Sequence, residues 1–323
     1  MGEPDIFILG GLGLTYIIKT ALELGLIYAP IPLALFLSFR ILNIADMTTD
    51  GCFVLGAVVS ITWTAAGHPF LGIFLAMIAG SLAGFVTATL QTRFGVPSIL
   101  AGIITNFGLY TVNLWVMGGS SSVNLLKKET LFTLFKKTAS FAGPYSDMLL
   151  IAIITFAVAA ILVWFLSTRL GLSIRATGDN ADMVRASSVN PRFTTTVGLC
   201  VSNSLTALSG GMVGQYQCTA DLNSSVGIVV IALACLIIGE TVLGKKTVVK
   251  GAVAAILGSI LYRIIYAIVL KTRIVPMDGL KLMTAVVVAF AIAFPTIKEQ
   301  LRFAVKKHHA SKDASGKEDK ENA

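Results

Sequence analysis

The run Gly239-Glu240-Thr241-Val242-Leu243-Gly244-Lys245-Lys246-Thr247 nearly spells the phosphate-cradling loop GxxxxGK[ST]. In that loop a hydroxyl follows the lysine to hold magnesium, and Lys246 stands in its place. The run also follows an apolar stretch and not a strand, so its lysines read as anchors at a membrane face. The histidines are His68, His308 and His309, too few and too scattered for a catalytic triad or a metal cluster. No GxSxG surrounds the obvious serines, and Cys52, Cys200, Cys218 and Cys235 have no CxxC spacing. The sequence predicts a chain that is not an enzyme, binds no cofactor or metal, and carries no disulfide framework.

Two polar stretches carry more. The first runs from Ser38 to Gly51 and holds Arg40, Asn43, Asp46, Thr48, Thr49 and Asp50. Any charge that dips into a bilayer costs about 2.5–3.5 kcal/mol on insertion scales, so Arg40 is expected to pair with Asp46 or Asp50. These three residues are read as a structural polar cluster at the cytoplasmic end of the first two spans, and not as a solute site; a solvated loop is the plainer alternative. The second stretch runs from Arg175 to Pro191. Asp179 or Asn180 can accept the first free amides of a helix, and Asn190-Pro191 is expected to stop it after about two turns. On that helix Met183, Ala186 and Ser187 fall at i, i+3 and i+4 as a small apolar face, with Asp182 and Arg185 paired alongside. Such a helix suits docking to a cytoplasmic partner, and a solvated connector is its bland alternative.

Four amides, Asn106, Asn113, Asn203 and Gln215, lie within or at the ends of apolar runs. They are candidates for a solute pathway, where an amide contacts a polar solute without trapping it, or for interhelical hydrogen bonds. Arg263 and Glu240 are ionisable groups inside apolar runs, the kind an ion-coupled carrier would use.

The elements that position these residues are membrane spans. Apolar runs of the roughly 17–25 residues needed to cross the hydrocarbon occur near 20–39, 51–66, 70–92, 98–117, 148–167, 193–215, 226–243, 248–270 and 281–296. The shorter run Ile6–Ile18 is a tenth, joined element or an interfacial helix. Pro30 and Pro32 sit inside the first run and should break its helix, either toward a watery pathway or as a packing kink. Gly80 with Gly84 and Gly210 with Gly214 mark close helix approach.

Composition agrees. The 323 residues are 55% hydrophobic and 13% charged, with a mean hydropathy of +0.82, which excludes a soluble globule and a disordered chain. The net charge of +8 does not point to nucleic acid, because the basic residues are scattered or gathered in the tail. Arg93, then Arg169, Arg175, Arg185 and Arg192, then Lys245, Lys246 and Lys250, fall in alternate loops, the face that the positive-inside rule makes cytoplasmic. The loop 118–147, with Lys127, Lys128, Lys136 and Lys137, dissents. The N-terminus lacks signal-peptide and myristoylation features and is read as retained and unlipidated. The expected fold is an all-α polytopic membrane protein of about eight to ten spans. A transmembrane domain over 1–297 is expected, followed by a charged, disordered cytoplasmic tail over 298–323.

The two polar stretches resemble the permease subunits of bacterial ABC importers in the class that carries branched-chain amino acids and ribose. The nearest branch is the one found with tryptophan- and tyrosine-type binding proteins. Its pattern SFRxLxxxDxTxDGxFxLGA is matched from Ser38 through Ala57, and RATGDNxxMxRAxG from Arg175 to Ser187. Ser188 stands where that class usually has Gly, and Val189 where Ile is usual. The runs Ser202–Gly210, Gln215-Tyr216-Gln217 and Ile237-Ile238-Gly239-Glu240 are also similar, and the resemblance covers roughly 20–297. It implies that Arg175–Asn190 is a coupling helix, about 178–190, seated in a groove of an ATPase subunit. Gly178, Asp179, Asn180, Met183, Arg185, Ala186, Ser187 and Ser188 would then make the contact. It also implies a partner ATPase that uses ATP and Mg, an extracytoplasmic substrate-binding protein, a second permease chain read as another copy of this one, and surrounding lipid of the bacterial inner membrane. The solute would be small and polar, an amino acid and by resemblance an aromatic one. A sugar or nucleoside importer, and an ion-coupled secondary transporter, are the alternatives.

Overall fold

The computed structural model describes residues 4–125, 128–138, 143, 145–244 and 247–272, with scattered helical positions between 282 and 293. The chain divides into two compact units, Met1–Arg273 and Ile274–Ala323. The ninth span expected at 281–296 falls in the second unit and is described only at scattered helical residues; the tail 298–323 lies outside the described residues.

In the first unit, α1 (Pro4–Tyr28), α2 (Pro30–Leu35) and a π-helical turn (Phe36–Ile41) make one long element. The apolar run Ile6–Ile18 is thus joined to the first span. There follow α3 (Thr49–Ala65), α4 (Pro69–Thr92), α5 (Ser98–Val116), strand β1 (Ser122–Asn124), α6 (Leu131–Thr138), α7 (Ser146–Ser167), α8 (Arg169–Asp179) and α9 (Ala181–Ala186). The unit closes with α10 (Pro191–Gln217), strand β2 (Thr219–Asp221), a 3-10 turn (Leu222–Ser225), α11 (Ile228–Leu243) and α12 (Val248–Thr272). Among the described residues seven helical stretches are long and apolar enough to cross a membrane, and α3 is a shorter apolar helix beside them. In such a solvent a helix is the economical choice, because it satisfies its backbone polar groups internally. The protein is a polytopic, all-α membrane protein.

One small departure from helix lies at the end where α5 and α10 finish. There β1 and β2 pair antiparallel, Val123 opposite Ala220, and fasten the loop after α5 to the chain leaving α10. The dissenting loop belongs to this hairpin end, and part of its charge is internal, since Lys137 pairs with Glu129. The opposite end carries α8 and α9 with Arg169, Arg175, Arg185 and Arg192, and will be called the basic end.

α10 is the centre of the unit, packed on α4, α3 and α2. The glycine pairs act where helix backbones touch. A side-chain carbon at Gly80 would sit 2.5 Å from the Asn203 carbonyl oxygen, and one at Gly210 would sit 2.0 Å from that of Phe53. Outside this centre, α4, α5 and α7 present Phe74, Phe85, Phe107, Trp115, Phe156 and Trp164 to the surroundings. Apolar faces of this extent are natural against lipid or another membrane chain.

Candidate translocation and coupling site

The break expected at Pro30 and Pro32 is a single residue, Ala29, which keeps right-handed helical dihedrals (φ −56°, ψ −30°). Proline supplies no backbone N–H, so the carbonyls of Leu26 and Tyr28, four residues before Pro30 and Pro32, lose their helical donors. Side chains from three other helices donate to Leu26 and to the carbonyls beside it. The Thr155 hydroxyl of α7 donates to the Leu26 carbonyl (2.9 Å), that of Ser209 on α10 to Ile27 (2.8 Å), and that of Ser259 on α12 to Gly25 (2.7 Å). Near the π-helical turn, Ser202 of α10 donates to the Ala34 carbonyl (2.9 Å). The kink is therefore built into the packing of the interior and does not face open water.

At the basic end, the first helix delivers Arg40 to Glu240 near the end of α11. The guanidinium donates Nε to Oε1 at 2.7 Å and Nη2 to Oε2 at 2.5 Å, a two-point ion pair between residues 200 positions apart. This corrects the expectation that Arg40 pairs with Asp46 or Asp50. Both carboxylates have backbone amides as donors, whereas Glu240, with a side chain only 3% exposed, needs a cation to be ionised there. The pair faces a polar cavity of about 260 Å³ that also receives Arg175 and Asp179 of α8.

α8 rests directly on that same turn. A side-chain carbon at Gly178 would lie 1.8 Å from the Ile41 carbonyl oxygen. Gly178 and Asp179 thus belong to the last turn of α8, and the helix expected over about 178–190 is the shorter α9, Ala181–Ala186. Between the two candidate caps, Asn180 is the one used: its Oδ1 accepts the amides of Asp182 (3.1 Å) and Met183 (3.0 Å). Ser188 ends the segment, at φ +61°, the left-handed conformation that favours glycine. Asn190-Pro191 does not stop α9 but starts α10, with Asn190 accepting the Arg192 amide (3.0 Å). On α9, Val184 turns inward while Met183, Ala186 and Ser187 are exposed, and Arg185 meets Asp182 at 3.8 Å.

The remaining members of the expected polar cluster are separated. Asp46 is buried between the Thr48 amide (2.9 Å) and the Asn203 side-chain amide (2.7 Å). Nearby, the Thr48, Thr87 and Thr105 hydroxyls form a chain across α4 to α5. Asp50, in the first turn of α3, reaches the start of α11, accepting from Gly227 N (3.3 Å) and Val229 N (3.0 Å). Helices of 17 and 16 residues span about 25 Å, short of ~30 Å of hydrocarbon, so α3 and α11 suit starts within the bilayer. A carboxylate at their joint origin suits the positive ends of both helix dipoles.

The four amides divide in two. Asn106 and Asn113 line a cavity of about 500 Å³ beside Asp50, between α3, α5 and the segment 222–226. Asn203 and Gln215 do not line it. Asn203 holds Asp46, and Gln215 is a three-way lock, donating to Ser60 Oγ (2.9 Å) and the Pro69 carbonyl (2.9 Å) while accepting from Leu131 N (2.9 Å). Both are buried in α10, and their side-chain amides donate to groups outside that helix.

A family pattern, the permease component of branched-chain amino acid transport systems, matches residues 17–297. The chain belongs to this family. The permease is 31% identical to a tyrosine transport system permease protein of Clostridioides difficile (strain R20291), over 86% of this chain and 91% of that one. It is 32% identical to an uncharacterized protein of Rickettsia prowazekii (strain Madrid E), over 86% and 97% of the two chains. A guanosine ABC transporter permease protein of Bacillus subtilis (strain 168) is 25% identical over 56% of this permease and 58% of its own length. No solved structure matches the permease. It is a multi-pass inner-membrane transport subunit of the ABC type, for a small solute.

Sequence reasoning missed the partner of Arg40, the hydroxyls that cap the kink, and the buried Glu23, whose Oε2 accepts from the Tyr216 hydroxyl (2.9 Å) while Lys19 lies 3.6 Å from Oε1. A signal for the first existed. Two opposite charges at the ends of separate apolar runs, Arg40 and Glu240, each needed a partner. Arg263, the other candidate of an ion-coupled carrier, lies over the Tyr28 ring at 3.8 Å.

Proposed function

We propose that this permease is the membrane half of an ATP-driven importer that carries an amino acid inward by alternating access. It pairs with a second copy of itself, receives its solute from an extracytoplasmic binding protein, and takes its drive from an ATPase subunit docked on α9. ATP and Mg are used on that partner. The observation that carries this reading is the unbroken mechanical path from α9 to the pathway helices. α9 is capped, exposes Met183 and Ala186, and is joined by α8 to the backbone of Ile41 through Gly178. Ile41 closes the turn that presents Arg40 to Glu240, so a push on α9 reaches the inner ends of the first helix and α11 together. Contacts between rigid elements are the physical means by which such a displacement travels. The name of the tyrosine permease relative supports an amino acid as solute.

The test uses two substitutions. Ala186→Asp puts a charge in the docked contact and should weaken ATPase association by tenfold or more, with the permease still inserted. Gly178→Val should leave association intact and lower solute-stimulated ATP hydrolysis and uptake by at least tenfold, because the added carbons meet the Ile41 carbonyl. Normal transport by the Ala186→Asp protein would overturn the docking assignment and favour an ion-coupled carrier.

A further inference from the structure

We propose that Asp50 receives the ammonium group of the solute in the cavity between α3 and α5, which makes this a permease for amine-bearing solutes and not for nucleosides or sugars. The inference rests on the reading of the chain as a solute importer and adds the chemistry of recognition. The cavity holds about 500 Å³, enough for an amino acid, and is walled by Asp50, Asn106, Phe107, Tyr110, Asn113 and Ser225, among others. Among the residues that line it, Asp50 is the one with a formal charge. Among the described residues no cation lies within ion-pair distance of it, whereas Glu240 has Arg40 and Glu23 has Lys19. Each Asp50 oxygen accepts one backbone amide, from Gly227 or Val229, and a carboxylate has roughly four acceptor positions, so two are left for a ligand.

A second acceptor lies beside it. Asn106 shares the cavity wall, and its Oδ1 sits so close to Gly51, the neighbour of Asp50, that a side-chain carbon there would be 2.5 Å away. Asn113, 1% exposed, donates to the Gly51 carbonyl (3.3 Å) and its Oδ1 is enclosed, so it fixes α5 on α3 and does not meet the solute. A carboxylate and an amide oxygen, with no cation among the lining residues, suit the donors of an ammonium group. The exposed rings of Phe107 and Tyr110 offer an apolar surface for the rest of the solute. Asp46, fully enclosed by Thr48 and Asn203, has no such opening.

The experiment uses the full permease with its ATPase partner in lipid nanodiscs. Cys52, Cys200, Cys218 and Cys235 are replaced, and a reporter thiol is introduced at the cavity rim as Val226→Cys. The rate of alkylation by a thiol reagent is measured without ATP in the presence of L-tyrosine, tyramine, 3-(4-hydroxyphenyl)propionate, guanosine or sodium chloride. Tyrosine and tyramine, which share the amine, should slow alkylation at least fivefold; the propionate, guanosine and salt should leave it unchanged. Adding Asp50→Asn, which keeps an oxygen for the Val229 amide, should remove the protection by tyrosine. Protection by the propionate or guanosine equal to that by tyramine overturns the proposal, as does protection by sodium alone or a lack of protection by tyramine. Should Asp50→Asn not fold, the probe series on the parent protein decides by itself. Failure of the import reading is seen separately, as solute-loaded binding protein that does not stimulate ATP hydrolysis.

Discussion

α10 and α7 are both membrane-spanning helices, and they stand in opposite relation to the rest of the protein. The least polar 18-residue stretch of α10 has a mean hydropathy of 1.2 and is 78% buried; that of α7 has 2.9 and is 28% buried. In a soluble protein the more apolar helix would be the inner one. Here the surrounding solvent is hydrocarbon, so apolar side chains gain nothing by turning inward, while hydroxyls and amides gain partners. α10 turns Ser202, Asn203, Ser209 and Gln215 toward carbonyls and side chains of its neighbours, and its Gly210 lets α3 come to backbone contact. α7 does the reverse. It shows Ile153, Phe156, Ile161 and Trp164 to the outside and sends Thr155 to the first helix. In this protein polarity marks the interior.

Three substitutions would break or sharpen that contrast. The largest effect is expected from Gly210→Leu in α10, where the new side chain meets the Phe53 carbonyl; a loss of about 3 kcal/mol or more follows from overpacking against backbone. Reversible unfolding in mixed detergent micelles would show this as little or no folded fraction. Gln215→Leu raises the hydropathy of α10 yet removes three hydrogen bonds, leaving the Leu131 amide and Pro69 carbonyl buried without that partner. A loss of about 2–3 kcal/mol in the same assay is expected, and a stabilised protein would contradict the account of α10 as the polar core. The smallest effect is expected from Ile161→Val on the outer face of α7, within about 0.5 kcal/mol of the parent. A loss above 1 kcal/mol there would mean that this face packs against protein, and would place the second permease chain on α7.

The contrast also separates what could be foreseen residue by residue. A cap at Asp179 or Asn180 was legible because a cap acts on amides two and three positions away, and the structure uses Asn180. The exposed face of Met183 and Ala186 was legible because helix periodicity is local. Gly80 and Gly210 announced close approach without naming the helices that approach. The pairing of Arg40 was misread toward Asp46 and Asp50, its neighbours in sequence, because the true partner Glu240 comes 200 positions later. Asn203 and Gln215 looked the same as Asn106 and Asn113 in sequence; which pair faces protein and which faces the cavity depends on how α5 and α10 are rotated in the bundle.

The sequence by itself determined that the chain crosses a membrane many times, where most of those crossings fall, which loops gather positive charge, and which short segment between two spans carries its own helix cap. Each of these follows from hydropathy over about 20 residues or from contacts within one turn, and such terms act before any helix meets another. Tertiary structure alone decided how the proline kink is satisfied, that Gly178 seats α8 on Ile41, that Arg40 closes on Glu240, and that Asp50 caps α11 beside an open cavity. Those outcomes depend on the mutual rotation and depth of separate helices. In hydrocarbon that arrangement is chosen by polar groups seeking partners and by glycines allowing backbones to touch, and neither choice is written in any one span.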